Sequence, residues 1–123
     1  MRMWQGRCAL SSLEGIVSPA YTIIKPRNGV NPYYMEMLFK LPYMIYRFWT
    51  HSQGLVSDTL NCKFPSFCQV KVAIPCWAEQ NTIAEILSVC DKEISLANKK
   101  LYTLQQQKKG LMQVLLTGKK RIV

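Results

Sequence analysis

Between Glu79 and Leu116 the chain reads EQNTIAEILSVCDKEISLANKKLYTLQQQKKGLMQVLL. Apolar residues recur in this stretch in alternating steps of four and three, the a/d spacing of a coiled coil, and only Lys108 interrupts them. We call this series the apolar seam: it comprises Ile83, Leu87, Cys90, Ile94, Ala97, Leu101, Leu104, Leu111 and Leu115. Because the stretch contains no proline and only one glycine, Gly110, it predicts a single long helix.

A helix over this stretch would be about 57 Å long, at about 1.5 Å per residue. A domain built from the remaining residues is too small to cover an apolar stripe of that length, and the chain contains no second pattern of this kind. The seam therefore predicts that the chain works with a helical partner, either another copy of itself or another subunit.

The chain has 123 residues, which is enough for one modest domain and an appendage. Sixteen basic and seven acidic residues give a net charge of +9, of which residues 1–75 contribute +5 and residues 76–123 contribute +4. Such a surplus favours polyanionic partners, namely DNA, RNA or an anionic membrane. The alternative is that the charge only keeps an exposed helix soluble.

The five cysteines argue against zinc and against a disulfide framework, because their number is odd, no Cys-x-x-Cys pair occurs and His51 is the only histidine. We interpret them as reduced core residues of a cytoplasmic protein. The N-terminus lacks the apolar run of a signal peptide, and the most apolar window, 41–49, is too short to span a bilayer.

Catalytic motifs are missing from the sequence. It contains neither GxxxxGK[ST] nor GxGxxG, and Glu14, Glu36 and Asp58 are the only carboxylates before the long helix. We therefore predict a chain that is not an enzyme and that binds no cofactor and no metal.

Ahead of the long helix, local signals alternate between strands and helices. Residues 15–25, 55–60 and 70–74 have the composition of short strands, Asn31-Pro32 begins a helix to Lys40, a second helix follows over 43–52, and 63–69 forms one helical turn. The expected fold class is therefore α+β, with short strands and helices followed by one long coiled-coil helix. The two central helices are rich in aromatic residues, which we expect mostly in the core, although stacking on bases is an alternative.

Several motifs, in this order, resemble the specificity subunit of type I restriction–modification systems. They are Trp4-Gln5-Gly6, Gly15-Ile16-Val17-Ser18-Pro19-Ala20-Tyr21, the helix 43–48, Ser52-Gln53-Gly54-Leu55-Val56-Ser57-Asp58, the stretch 75–87, Lys108-Lys109-Gly110-Leu111-Met112-Gln113 and Leu116-Thr117-Gly118-Lys119. Each motif alone is weak, but the ordered set is specific and extends over essentially the whole chain.

The resemblance implies a non-catalytic subunit with two target recognition domains, each followed by a long helix. The two helices pair as an antiparallel coiled coil, which separates the two halves of a split DNA site and docks the methyltransferase (modification) subunits. By this resemblance residues 1–75 are the C-terminal part of a recognition domain, and residues 76–123 are a dimerisation and spacer helix with a basic tail. The implied partners are duplex DNA, methyltransferase subunits and, through them, the restriction subunit of a prokaryotic cell.

This chain departs from the family in length, because it contains one domain and one long helix. We expect it to begin inside the recognition domain, close to Trp4, and to correspond to the C-terminal piece of a longer gene. Sequence-specific binding by the chain alone is then in question, since some base-reading loops would be missing.

Candidate DNA contacts are polar residues expected on loops of the globular part. They are Gln5, Arg7, Ser18, Tyr21, Arg27, Arg47, His51, Ser52, Gln53, Ser57, Asn61 and Lys63. Gln and Asn can read adenine and Arg can read guanine, whereas Lys25, Lys40, Arg47 and Lys63 are better suited to phosphates.

Two alternatives to a DNA-recognition module remain open. The chain could be an assembly or dimerisation piece that uses only its helix, pairing with itself or with another specificity subunit. It could also be an unrelated adapter for RNA or a membrane surface, which only the charge favours.

Overall fold

The computed structural model of the chain describes residues 2–56 and 59–122. They belong to two compact units, Met1–Ala84 and Glu85–Val123. The helices are α1 (Pro32–Phe39), α2 (Pro42–Thr50), α3 (Phe64–Gln69) and α4 (Trp77–Leu115), and a short 3₁₀ turn spans Met3–Gln5. The assignment of residues 1–75 to a DNA recognition domain and of residues 76–123 to a spacer helix stays a prediction. It concerns the binding partners of each part, which the fold alone does not test.

The starts of α1 and α2 follow from proline and its neighbours. The Asn31 side chain accepts a hydrogen bond from the Tyr34 amide, and Pro32 occupies the first helical position of α1, where its missing N–H costs nothing. The second helix begins in the same way at Pro42, after Leu41 has adopted an extended conformation. The predicted helices over 32–40 and 43–52 are therefore confirmed.

The core of the first unit is built mainly from α1 and α2. Its buried residues are Met3, Leu38, Phe39, Met44, Phe48 and Cys62. The Phe48 ring lies edge-to-face against Phe39, at a centroid distance of 5.5 Å, and stacks on Phe67 of α3 at 5.6 Å. These aromatic contacts hold the three short helices together.

The predicted α+β fold class is wrong: among the described residues there is no strand, and the chain is mainly helical. The residues at 15–25 and 70–74 are irregular, and 55–60 lies partly outside the described residues. Hydrogen bonds in the first of these segments are local, such as that from the Tyr21 amide to the Ser18 carbonyl, 3.0 Å. Strand-forming side chains do not make a strand without a neighbouring backbone to pair with, and the described part offers only the isolated bridge between Gln53 and Asn61.

The long helix predicted over 79–116 is confirmed as α4, a continuous helix of 39 residues. Gln80 and Ala84 in its first turns are buried and belong to the first unit. Beyond its last turn Gly118 adopts a positive φ of 71°, and the Lys120 amide donates to the Val114 carbonyl at 3.2 Å. This closure resembles a Schellman motif and satisfies carbonyls at the end of the helix.

Candidate nucleic-acid interface

Two exposed amide side chains are held next to each other at the bridge that follows α2. The backbones of Gln53 and Asn61 exchange two hydrogen bonds, of 3.1 and 2.9 Å, in antiparallel orientation. Residues paired in this way project their side chains on the same side, with Cβ atoms about 5 Å apart. Two neighbouring carboxamides therefore face solvent together.

Gly54 allows the chain to close this bridge tightly. A Cβ atom at this position would lie 2.8 Å from the Leu60 amide nitrogen and from the Thr59 carbonyl carbon, closer than real Cβ atoms approach. The tight loop therefore requires glycine directly after Gln53, and the backbone that carries the two amides is closely constrained.

A third exposed amide residue, Gln5, lies in the N-terminal 3₁₀ turn, next to the residue that contacts the segment leading into Asn61. The Trp4 indole N–H donates to the Leu60 carbonyl at 3.1 Å, which places Gln5 and Asn61 on adjacent segments. All three amide residues are exposed. We call Gln5, Gln53 and Asn61 the amide cluster.

The end of α2 uses two of the predicted DNA contacts to cap itself. The Ser52 hydroxyl donates to the Phe48 carbonyl at 2.7 Å, and His51 Nδ1 lies 2.8 Å from the Arg47 carbonyl. Because a carbonyl oxygen only accepts, this contact is a hydrogen bond when Nδ1 carries a proton. Ser52 and His51 thus support the backbone that leads to Gln53.

The remaining predicted contacts are spread over the first unit. Arg7, Ser18, Tyr21, Arg27 and Lys63 are exposed, and Arg47 is half-buried. Lys63 directly precedes α3, two residues after Asn61, whereas Ser18 and Tyr21 lie in the irregular segment. Ser57 lies outside the described residues.

Of the lysines assigned to phosphates, Lys25 is exposed, whereas Lys40 forms a surface salt bridge of 2.6 Å with Glu36. Such exposed pairs contribute little free energy.

The aromatic residues of α2 separate into a buried and an exposed group. Phe48 is buried, as expected for the core, but Tyr43, Tyr46 and Trp49 are exposed, and the rings of Tyr46 and Trp49 stack on each other at 5.8 Å. The expectation of a core role is therefore wrong for these three residues.

Sequence reasoning missed Gln80, which is buried on the inner face of α4. Its side-chain amide bonds the backbones of Gly29, Asn31 and Pro75. A signal for it was present: Gln80 lies one heptad before Leu87, so it occupies an a position of the seam where an apolar residue is expected.

Most of the apolar seam is open to solvent. Leu101 is 54% exposed and Leu111 60% exposed, and Cys90, Ile94, Ala97 and Leu104 are exposed as well. Ile83, Leu87 and Leu115 are half-buried. The described residues of this chain thus leave most of the stripe uncovered.

Charge is segregated along α4. Its first seventeen residues, 77–93, contain Glu79, Glu85, Asp91 and Glu93 against one basic residue, Lys92. From Ile94 to Leu115 the helix contains four lysines and no acidic residue. The two halves of the helix therefore have opposite net charges.

The five cysteines are free, but the prediction that they are core residues is only partly right. Cys62 is buried and Cys8 half-buried, whereas Cys68, Cys76 and Cys90 are exposed. Burial raises the pKa of the Cys8 and Cys62 thiols, which favours their protonated forms. Among the described residues, no group of three or more His, Cys, Asp or Glu side chains is placed to hold a metal ion.

Across the described part of the chain, none of the helices combines the length and the apolar character needed to cross a membrane.

Comparison with known proteins finds a similar chain in Methanocaldococcus jannaschii, the Type I restriction enzyme MjaVIII specificity subunit. The identity is 29% over 123 aligned positions, which cover 94% of this chain. The resemblance to type I specificity subunits is confirmed. Because so little of the chain lies outside the match, the similarity includes both the first unit and the long helix.

The chain spans 27% of the length of this specificity subunit. No family model matches the chain. No solved structure matches it either.

Proposed function

We propose that the chain is a non-catalytic DNA-recognition part of a type I restriction–modification system, and that its first unit binds duplex DNA. The observation that carries this proposal is the amide cluster, three exposed carboxamides on a constrained backbone in a basic chain similar to a specificity subunit. A carboxamide can donate a hydrogen bond to N7 of adenine and accept one from its N6 amino group. Gln and Asn side chains therefore pair with adenine in the major groove through two hydrogen bonds.

The basic residues around the amide cluster hold the phosphates in this proposal. Lys63 lies beside Asn61, and Arg47 lies on α2 four residues before the capping His51. Phosphate contacts fix the position of a protein on the duplex and contribute no sequence preference of their own. Lys25 and Arg7 extend the same role over the rest of the unit.

The second part of the proposal is that α4 pairs with another long helix. The exposed seam supplies the apolar surface, and the segregated charge favours an antiparallel partner of the same kind, in which the acidic half of one helix lies beside the basic half of the other. The partner is a second copy of the chain or another specificity subunit, and the paired helices dock methyltransferase subunits and, through them, the restriction subunit in the cytoplasm.

For two antiparallel copies one register matches the whole seam. It places Ile83 against Leu115 and Leu87 against Leu111, and it places Lys108 against Cys90. Lys108, the single basic interruption of the seam, then lies close to Asp91, which directly follows Cys90, so the break in the apolar pattern falls near an acidic residue of the partner helix.

The DNA-reading proposal is tested by Gln53→Ala. If Gln53 reads a base edge, the variant loses discrimination at one base pair of the preferred site by about 1–3 kcal/mol and binds unrelated duplexes as before. Fluorescence anisotropy with a set of duplexes that differ at single positions measures this preference.

Gln106→Ala is the matched control, because Gln106 is an exposed glutamine of α4 outside the amide cluster. If the Gln53→Ala variant and the unmutated chain prefer the duplexes in the same order, Gln53 does not read a base.

A further inference from the structure

The amide of Gln80 is the most completely buried polar side chain in the described structure, with 1% of its surface exposed. Its Oε1 accepts the Asn31 amide at 2.9 Å, and its Nε2 donates to the Gly29 carbonyl at 3.2 Å and to the Pro75 carbonyl at 2.9 Å. Both N–H groups of the side-chain carboxamide and one lone pair of its oxygen therefore take part in hydrogen bonds. A buried polar group satisfied in this way fixes the segments that it joins, because breaking any of these bonds leaves an unpaired buried group.

The segment that Gln80 holds is the turn that carries Arg27. The Val30 amide donates to the Arg27 carbonyl at 3.2 Å, and Gly29 adopts a φ of +82° at the third position, as in a type II turn. Gln80 bonds the residues on both sides of Val30, the carbonyl before it and the amide after it. The backbone at the end of the turn is therefore fixed on the first turn of α4.

A second amide pair fixes the same place from the other side. Asn31 Nδ2 donates to Asn81 Oδ1 at 2.7 Å, while Asn31 Oδ1 caps α1 by accepting the Tyr34 amide at 3.0 Å. One residue thus joins the turn, the start of α1 and the start of α4. The Arg27 side chain, at the opposite end of this turn, is exposed.

We infer that Gln80 is a positioning residue for DNA binding: it holds the Arg27–Val30 turn so that the Arg27 guanidinium faces the duplex in one orientation. The inference rests on the proposed function, since it requires the first unit to bind DNA. A contact made from a prearranged backbone loses less conformational entropy on binding than one made from a mobile loop. Removing the Gln80 amide therefore weakens the Arg27 contact without removing the Arg27 charge.

The test compares Arg27→Ala, Gln80→Ala and the double variant, titrated with a fluorescein-labelled duplex of mixed sequence at several salt concentrations. We expect Arg27→Ala to lower affinity about tenfold and to reduce the salt slope by about one, the effect of one lost phosphate contact, and Gln80→Ala to lower affinity by a smaller factor. The double variant should bind as weakly as Arg27→Ala alone, because Gln80 acts through the Arg27 contact, which Arg27→Ala already removes.

Thr82→Ala is the control, since the Thr82 hydroxyl bonds only within its own helix and the residue is exposed. Amide exchange at Asn31, measured by NMR on the free protein, should speed up in Gln80→Ala and stay unchanged in Thr82→Ala. If Gln80→Ala fails to fold, Gly29→Ala replaces it: no atom lies within 4 Å of the added methyl group, but the positive φ strains the same turn.

Additive losses in the double variant, or full affinity in Gln80→Ala (or in Gly29→Ala) while Arg27→Ala is weakened, would overturn the inference. It also falls if the unmutated chain binds duplex and Arg27→Ala binds equally well, an outcome that leaves the proposed function intact. Absence of duplex binding by the unmutated chain at low salt overturns the proposed function itself, and the inference with it.

Discussion

At the scale of single residues, α2 shows how helical spacing assigns neighbouring aromatic residues to different roles. Phe48 is 1% exposed and contacts two other phenylalanine rings, whereas Tyr46, two positions earlier, is 63% exposed. Residues two apart on a helix point in nearly opposite directions. The aromatic composition of a helix therefore does not predict which of its rings are buried and which are exposed.

We expect Phe48→Ala to lower the free energy of unfolding of the first unit by about 3–5 kcal/mol, the usual cost of removing a buried aromatic side chain. Tyr46→Ala should cost less than about 1 kcal/mol, because its ring is mostly in water. Urea unfolding followed by tryptophan fluorescence measures both, since Trp4 is anchored to Leu60 within this unit. Equal losses in the two variants would contradict the core described for α2.

At the scale of elements, α4 is a helix whose apolar side lacks a cover within the described chain. The seam residues are about half exposed along most of its length. An isolated helix gains little from propensity alone, and long helices in proteins are stabilised chiefly by packing of the apolar side. The exposed part of the seam would therefore add to the stability of the helix only where a partner covers it.

Leu101→Lys should convert an associated species into a monomer, because it places a charge in the centre of the seam. Thr103→Lys adds the same charge on the other side of the helix and should leave the association unchanged. Light scattering over a range of protein concentrations distinguishes these outcomes. If the unmutated chain is monomeric at every concentration, it does not pair with itself. The helical partner would then be a different subunit.

Over the whole molecule, the net positive charge is the property that favours binding to a polyanion such as DNA. Residues 1–84 contain eight basic and four acidic residues, and residues 85–123 contain eight basic and three acidic residues, so both units are net positive. Binding driven by such charge releases counterions from DNA and weakens as salt rises.

We therefore expect the affinity for duplex DNA to fall by about tenfold or more between low and physiological salt. Arg47→Ala should lower the affinity for all duplex sequences by the same factor, since a phosphate contact is independent of sequence. Titrations of several duplexes at two salt concentrations test both statements. Binding that is insensitive to salt would contradict an electrostatic mode of DNA contact.

Elements whose hydrogen bonds are local could be predicted from the amino-acid sequence. The apolar period predicted α4, and Asn31-Pro32 predicted the start of α1, both of which the structure contains. Each of these depends on groups within four residues of one another, so a short stretch of sequence contains all the necessary information.

Features that depend on residues far apart in the sequence could not be predicted from it. The segment 15–25 has strand-forming side chains and remains irregular, because a strand exists only where another backbone pairs with it. The sequence places Gln80 at an a position of the seam, but its burial depends on Gly29 and Asn31, some fifty residues earlier, which supply its hydrogen-bond partners. The members of the amide cluster are likewise separated in sequence: the bridge pairs Gln53 with Asn61, and the Trp4–Leu60 hydrogen bond places the turn that contains Gln5 beside the segment that contains Asn61.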